Sequence, residues 1–202
     1  DPLAQAYMGL QDAQGGCGAR PSYLSYLAPC DFAGGALAAL GTVIGLYVVK
    51  NGGLGQKVDV NLLSVASLML QGDFSKYRGK IKRRLADFNQ YGLSDFRRLF
   101  RATDGWIFVS AENPILAERL MSVLGIEIPE EIKYLQHTDF GQKMERIFEH
   151  KSVSNWIELL TGNEVPVAVS EESGFHRLHT DPQIVENRML KSFIDKEGAD
   201  VH

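Results

Sequence analysis

Eighteen uncharged residues, Phe32 to Val49 (FAGGALAALGTVIGLYVV), run between Asp31 and Lys50, the longest such stretch in the chain. A run of this length folds as a helix, either inside a protein or across a membrane at the lower limit of span length. Gly41 and Gly45 form a GxxxG pair, which in lipid is a dimerisation face. Two features oppose a span. The run is rich in Gly and Ala rather than Leu and Ile, and only Tyr47 lies near either end, so an aromatic belt is missing. The stretch is therefore read as a central helix of a water-soluble domain, with small residues that admit close approach of other chain. Asp31 is then its N-cap or first-turn acid, where backbone N–H groups and the positive end of the macrodipole favour its negative charge.

The rest of the composition bounds the function. A chain of 202 residues, 45% hydrophobic and 23% charged, makes one domain or a larger and a smaller lobe. A net charge of −4 gives no general attraction to nucleic acid or anionic lipid, so neither a nucleic acid nor a membrane is expected as a partner. Cys17 and Cys30 allow at most one disulfide, and no Cys/His cluster has metal-ligand spacing. No metal is expected, and a reducing, cytoplasmic setting is. The start, DPLAQAYMGL, has neither the basic nor the apolar region of a signal peptide, and without a leading Met it reads as a fragment or a processed product.

The patterning predicts a short helix over 3–10, then a Gly-rich loop through Gly15, Gly16, Gly18 and Pro21. After the apolar helix, Asn51-Gly52-Gly53 is a stop signal, and 55–60 (GQKVDV) alternates like a strand. Asn61 caps a second helix that buries Leu62, Leu63, Val65, Ala66, Met69 and Leu70. Residues 76–90, with Lys76, Arg78, Lys80, Lys82, Arg83 and Arg84, read as a solvated basic linker rather than a phosphate site. Strands are predicted over 99–102 and 106–111, joined by the Thr103-Asp104-Gly105 turn. A helix from Pro114 to Leu124 ends at Gly125. Helices over 139–150 and 152–161 precede a strand over 165–169, Ser170 caps a helix over 171–178, and Asp181-Pro182 turns into the last helix.

Few side chains offer chemistry. Cys30 with His137, His150, His176 or His179 would make a Cys/His pair, but an acid beside Cys30 raises a thiol pKa, and a free Cys is mostly core. Gly15, Gly16 and Gly18 do not form a dinucleotide fingerprint. Asp31 remains. As a cap it contributes about 1 kcal/mol of helix stability, and that alone accounts for it. Equally, Gly34-Gly35 leave little bulk past Phe32, so a ligand can approach the carboxylate and the first-turn N–H donors, as a carboxylate nucleophile beside an oxyanion site requires. The residues alone leave both readings open.

An ordered set of short motifs narrows the choice. Leu3-Ala4-Gln5-Ala6 with Gly9, Gly15-Gly16, Cys30-Asp31-Phe32-Ala33-Gly34-Gly35, Ala38-Ala39-Leu40 and Gly55-Gln56-Lys57-Val58-Asp59-Val60-Asn61-Leu62-Leu63 together resemble the class III coenzyme A transferase family. Phe100-Arg101-Ala102-Thr103-Asp104-Gly105-Trp106, Val165-Pro166 and Asp181-Pro182-Gln183 resemble its later markers. The resemblance implies an α/β protein, the C-terminal part of that fold. Its divisions are a helical large-domain segment (1–75), a linker (76–96), a small α+β domain (97–180) and a return segment (181–202). It implies an interlocked homodimer or a missing N-terminal half, and acyl-CoA and carboxylic acid as substrates, with coenzyme A thioester the only cofactor-like group. Asp31 matches the family's covalent nucleophile. Gln5, Phe32 and Gly34 are expected to shape the site, and Leu62 to lie against the CoA arm. A non-catalytic half that only assembles is the second reading. Racemases of 2-methylacyl-CoA, which resemble the same family and add a histidine in a His-Asp-x-Asn stretch, rank below the transferase because the chain has no His before 137.

Overall fold

A computed structural model of the chain describes residues 1–127, 138–172, 174–191, 193–194, 196 and 200–201. By chain range it divides into two compact units, Asp1–Arg98 with Ile128–Lys143, and Leu99–Glu127 with Met144–His202. His137 lies outside the described residues.

The first unit begins with α1 (Pro2–Met8) and α2 (Leu10–Gly15). The single helix predicted over 3–10 is broken at Gly9, whose φ of 82° lies in the left-handed region that glycine enters freely. α2 then carries helix through Gly15, where the sequence reads as loop. α3 (Pro29–Lys50) starts three residues earlier than the uncharged run, because Pro29 at the first helical position brings a φ already suited to helix. α4 (Leu62–Met69) is capped as expected, the Ser64 N–H donating to Asn61 Oδ1 at 2.9 Å, and α5 (Gln71–Phe74) follows. Val65, Ala66 and Leu70 are buried, whereas Leu63 faces out.

Ala4 of α1, Cys30 of α3 and Ala66 of α4 form a small core, with Met8, Leu10 and Leu62 packed around it. No strand forms over 55–60; its alternation is matched by no partner strand among the described residues, and the segment stays irregular. Val58 instead lies over Gly41, where an added Cβ would come within 2.6 Å of Val58 Cγ1. That contact explains why Gly stands at 41. α3 is not the buried central helix expected. Of its residues only Cys30 and Gly34 are buried, while Leu40, Val43, Ile44, Leu46 and Tyr47 are exposed. By length and composition it is also long and apolar enough to cross a membrane. α4 covers one side of its first turns, and no described residue buries the exposed side chains named above.

The basic stretch after α5 is irregular, as expected. Lys80 Nζ donates to the carbonyls of Asp73 (2.9 Å) and Ser75 (2.7 Å), and Arg83 Nε lies 3.2 Å from Asp73 Oδ1. These cations hold the end of α5. They also line a cavity of about 470 Å³ with Met8, Leu70 and Phe74. Two short strands, β1 (Gly92–Ser94) and β2 (Arg97–Arg101), pair antiparallel with Gly92 opposite Arg98 and an irregular register next to it. β1 has no readable sequence pattern. Just past it, Asp95 and Arg98 form a buried ion pair (3.6 Å), and Thr138 Oγ1 donates to Asp95 Oδ2 at 2.6 Å.

The second unit centres on β3 (Trp106–Ser110) and β4 (Val167–Ser170), antiparallel with Ile107 opposite Val169, and the larger sheet runs in the order β1-β2-β3-β4. Alternation places Ile107 and Val109 in the core and leaves Phe108 partly exposed. The turn between β2 and β3 forms as predicted, with the Ala102 N–H donating to Gly105 O at 2.9 Å. Asp104 does more than make this turn. Its Oδ1 accepts from the Val153 N–H at 2.7 Å, at the start of α8 (Val153–Gly162).

α6 (Pro114–Leu124) ends at Gly125 in the left-handed conformation, as expected, and α7 (Asp139–Phe148) also forms where predicted. Phe100 stacks on Phe148 at 4.2 Å between centroids, and Phe148 meets Trp156 of α8 at 4.6 Å. The helix expected over 171–178 is only a turn of 3-10 helix, Gly174–Arg177; Ser170 belongs to β4 and does not cap it. α9 (Pro182–Glu186) is capped by Asp181 Oδ1, which accepts from Gln183 and Ile184. A two-residue pairing of Phe193–Ile194 with Asp200–Val201 was not expected from the pattern.

Candidate active site at the start of helix α3

α3 opens without a cap of its own. Ala28, at the N-cap position, is left-handed (φ 36°) and has no polar side chain, and Pro29 has no N–H. The next two donors, the N–H groups of Cys30 and Asp31, are those that an N-cap side chain ordinarily binds. Both donate to Asp1 Oδ2, at 2.6 and 3.0 Å. Asp1 stands directly before Pro2 and so reads as the cap of its own helix, yet its carboxylate makes no cap bond to α1. It crosses 29 and 30 residues to cap α3. Its other oxygen accepts from Gln5 Nε2. Gln5 is fully buried, and its side-chain amide also bonds both main-chain groups of Leu24 at 3.4 Å. The Asp1 side chain is only 2% exposed.

Asp31 is therefore a first-turn residue and not the cap. Its side chain is 56% exposed. The first-turn N–H groups anticipated as oxyanion donors are already bonded, those of Cys30 and Asp31 to Asp1 and that of Phe32 to Ala28 O at 3.1 Å.

The other residues singled out from sequence separate by exposure. Phe32 is 74% exposed beside Asp31. Gly35 opens to free space, whereas Gly34 is buried against α4, where an added Cβ would lie 3.5 Å from Leu62 Cδ2 and 3.7 Å from Val65 Cγ2. Gly34 and Leu62 thus meet each other in the packing of α3 on α4. Gln5 is placed beneath the site and touches it only through Asp1. Sequence reasoning missed Asp1. Its local signal, an acid before a helical Pro, was present, but its target was not.

Cys30, next to the nucleophile candidate, is fully buried. Burial pushes its thiol up first, and the Asp31 charge adds to this. Less thiolate and no access make it a poor nucleophile. Cys17 is exposed. In native protein at neutral pH, a disulfide reagent such as DTNB is expected to label Cys17 at least about tenfold faster than Cys30, with equal rates in denaturant. Equal native rates would mean that the α1–α3–α4 packing is open.

The chain matches the model of CoA-transferase family III over residues 1–202, and it belongs to that family. It is 28% identical over 184 residues to alpha-methylacyl-CoA racemase of Homo sapiens, covering 85% of this chain and 45% of the racemase. Among solved structures, Rv3272 of Mycobacterium tuberculosis superposes with a TM-score of 0.74 at 18% identity, over 100% of this chain and 55% of that one. A CAIB/BAIF family protein of Brucella suis gives 0.65 at 18% identity, over 98% and 53%. The likeness to these two structures shows the fold, a mixture of helix and sheet. The chain spans about half the length of the relatives it matches.

Proposed function

We propose that the chain carries the nucleophile half of a class III CoA-transferase, with Asp31 as the residue that bears coenzyme A. The observation that supports this most is the division of labour at α3. A buried carboxylate, Asp1, bonds the N–H groups at the helix start, and the other, Asp31, stays exposed in the first turn of a family member's helix. The reaction runs by bond exchange alone. Asp31 Oδ attacks the thioester carbon of the donor, the C–S bond breaks, and CoA thiolate leaves a mixed anhydride on Asp31. The thiolate attacks Asp31 Cγ and displaces the donor's carboxylate, giving an aspartyl-CoA thioester. The acceptor carboxylate attacks Cγ in turn and releases thiolate, which takes the acceptor's acyl carbon and frees Asp31. No metal or redox cofactor enters these steps.

The same reading takes acyl-CoA and a carboxylic acid as substrates and neither nucleic acid nor membrane as partner. The exposed face of α3 is covered by protein, either the remainder of a family module or a second copy in an interlocked dimer. The division at 1–75, 76–96, 97–180 and 181–202 and a cytoplasmic setting belong to the same proposal.

One observation favours a second reading, 2-methylacyl-CoA racemisation: the racemase is a relative at 28% identity. The absence of His before 137 does not separate the two. The match covers 45% of that racemase, so the comparison does not extend over all of its residues. Incubating the intact protein with acetyl-CoA, succinyl-CoA and 2-methylpropanoyl-CoA, then with hydroxylamine, distinguishes them. The transferase gives a CoA adduct on the peptide containing Asp31 that hydroxylamine converts to a hydroxamate. A racemase gives no adduct and instead exchanges the α-proton of 2-methylpropanoyl-CoA in D2O. Absence of the adduct with exchange present would replace the transferase reading.

A further inference from the structure

We infer that Asp1 is a positioning residue for Asp31: it caps α3 from a distance so that the nucleophile does not cap its own helix. This rests on the proposed role of Asp31. An acid in the first turn of a helix is drawn to the unsatisfied N–H groups there, and a carboxylate bound by N–H donors is a weaker nucleophile, since those bonds stabilise the charge it must share. At the start of α3 the cap position, an alanine followed by a proline, offers no side-chain acceptor; only its carbonyl accepts, from the Asp31 and Phe32 N–H groups at 3.1 Å. Left alone, Asp31 would be the nearest acceptor. Asp1 removes that option with one oxygen, accepting from the Cys30 N–H at 2.6 Å and sharing the Asp31 N–H, at 3.0 Å, with the Ala28 carbonyl.

The cap is itself held. Asp1 is buried, its second oxygen accepts from Gln5 Nε2, and Gln5 is anchored to both main-chain groups of Leu24. The Gln5 N–H also bonds the Asp1 carbonyl at 3.0 Å, so the first turn of α1 and the first turn of α3 are tied at one residue. Behind them, Ala4, Cys30 and Ala66 close the packing. The peptide that carries Asp31 is thereby held in place, while its carboxylate stays exposed. Gln5 belongs to this joint as a support and not as a substrate contact.

The test compares the single-turnover rate of adduct formation on Asp31, using whichever of the three thioesters above labels the wild type. Asp1→Ala is expected to lower that rate about 10–100-fold with little change in the donor concentration giving half-maximal rate, as misplacement of a bound reacting group does. Asp1→Asn keeps an acceptor for the two N–H groups and is expected to recover the rate to within about threefold. A purely structural role would lower the active fraction and leave the rate of the labelled molecules unchanged. Should Asp1→Ala fail to fold, Asp1→Glu carries the test: it keeps the charge, moves it by one methylene, and is expected to lose about tenfold in rate. Wild-type rates in Asp1→Ala, or in Asp1→Glu where it stands in, would overturn the positioning role while leaving Asp31 as nucleophile. No adduct in the wild type would overturn both.

Discussion

Asp31→Asn is expected to abolish transfer, with a loss of about 10⁴-fold or more in kcat, because an amide in place of the attacking oxygen cannot form the anhydride or the thioester. The structure makes this a clean experiment. The Asp31 side chain is exposed and the N–H groups of its turn are held by Asp1, so the variant keeps the cap, the fold and the Cys30 packing. Its stability is expected to stay within about 0.5 kcal/mol of wild type, as for most surface substitutions. Steady-state CoA transfer, adduct mass on the Asp31 peptide and far-UV circular dichroism on the same preparation check the three statements. Normal transfer by the Asn variant would remove Asp31 from the mechanism. Lost transfer with an adduct still formed would move the nucleophile to another carboxylate, and Asp1 would be the first to replace.

What could be read from the sequence, and what could not, follows the range of the interactions. Asn61 capping α4, Gly125 ending α6, the Asp181-Pro182 entry into α9 and the Thr103–Gly105 turn are each decided within four residues, and each stands where it was read. The alternation of 55–60 is also local, but a strand needs a partner, and none is present among the described residues. β1 depends on Arg97 and Arg98 for its pairing and has only three residues, too few for a pattern. The site divides in the same way. The exposed acid at the start of an apolar helix was legible because helix starts are local. That another acid, 30 residues earlier, caps that helix was not. Nor does any local pattern reveal that Gln5 serves Asp1, or that Gly34 is shaped for Leu62 and Val65. The apolar run was recognised as a helix from its own residues, whereas its burial is a property of whatever packs on it.

Trp156→Ala is expected to be the most destabilising single change in the second unit, at about 3–5 kcal/mol, the usual cost of removing a buried Trp or Phe side chain. Trp156 is 1% exposed and ends a ladder of three rings, Phe100, Phe148 and Trp156, that joins β2, α7 and α8. Its Nε1–H donates to the Phe148 carbonyl at 2.8 Å, so the same side chain packs the ring and satisfies the end of α7. Alanine loses both contributions, whereas Trp156→Phe keeps an aromatic surface and loses the donor. It leaves a buried carbonyl short of a partner, at about 1–3 kcal/mol. The two variants therefore separate packing from hydrogen bonding, and the order wild type, Phe, Ala in urea resistance is the expected result. Circular dichroism is the appropriate probe, since the substitution removes one of the chain's two tryptophans. The loss belongs to the unit that contains the ladder. Cys30, buried in the first unit, reports on the other one. Its labelling rate in urea is expected to keep its wild-type midpoint if the units unfold separately, and to shift with the circular dichroism if they unfold together. A cost below about 1 kcal/mol for the alanine variant would show that the ladder fills space without holding the unit together, contrary to its near-complete burial.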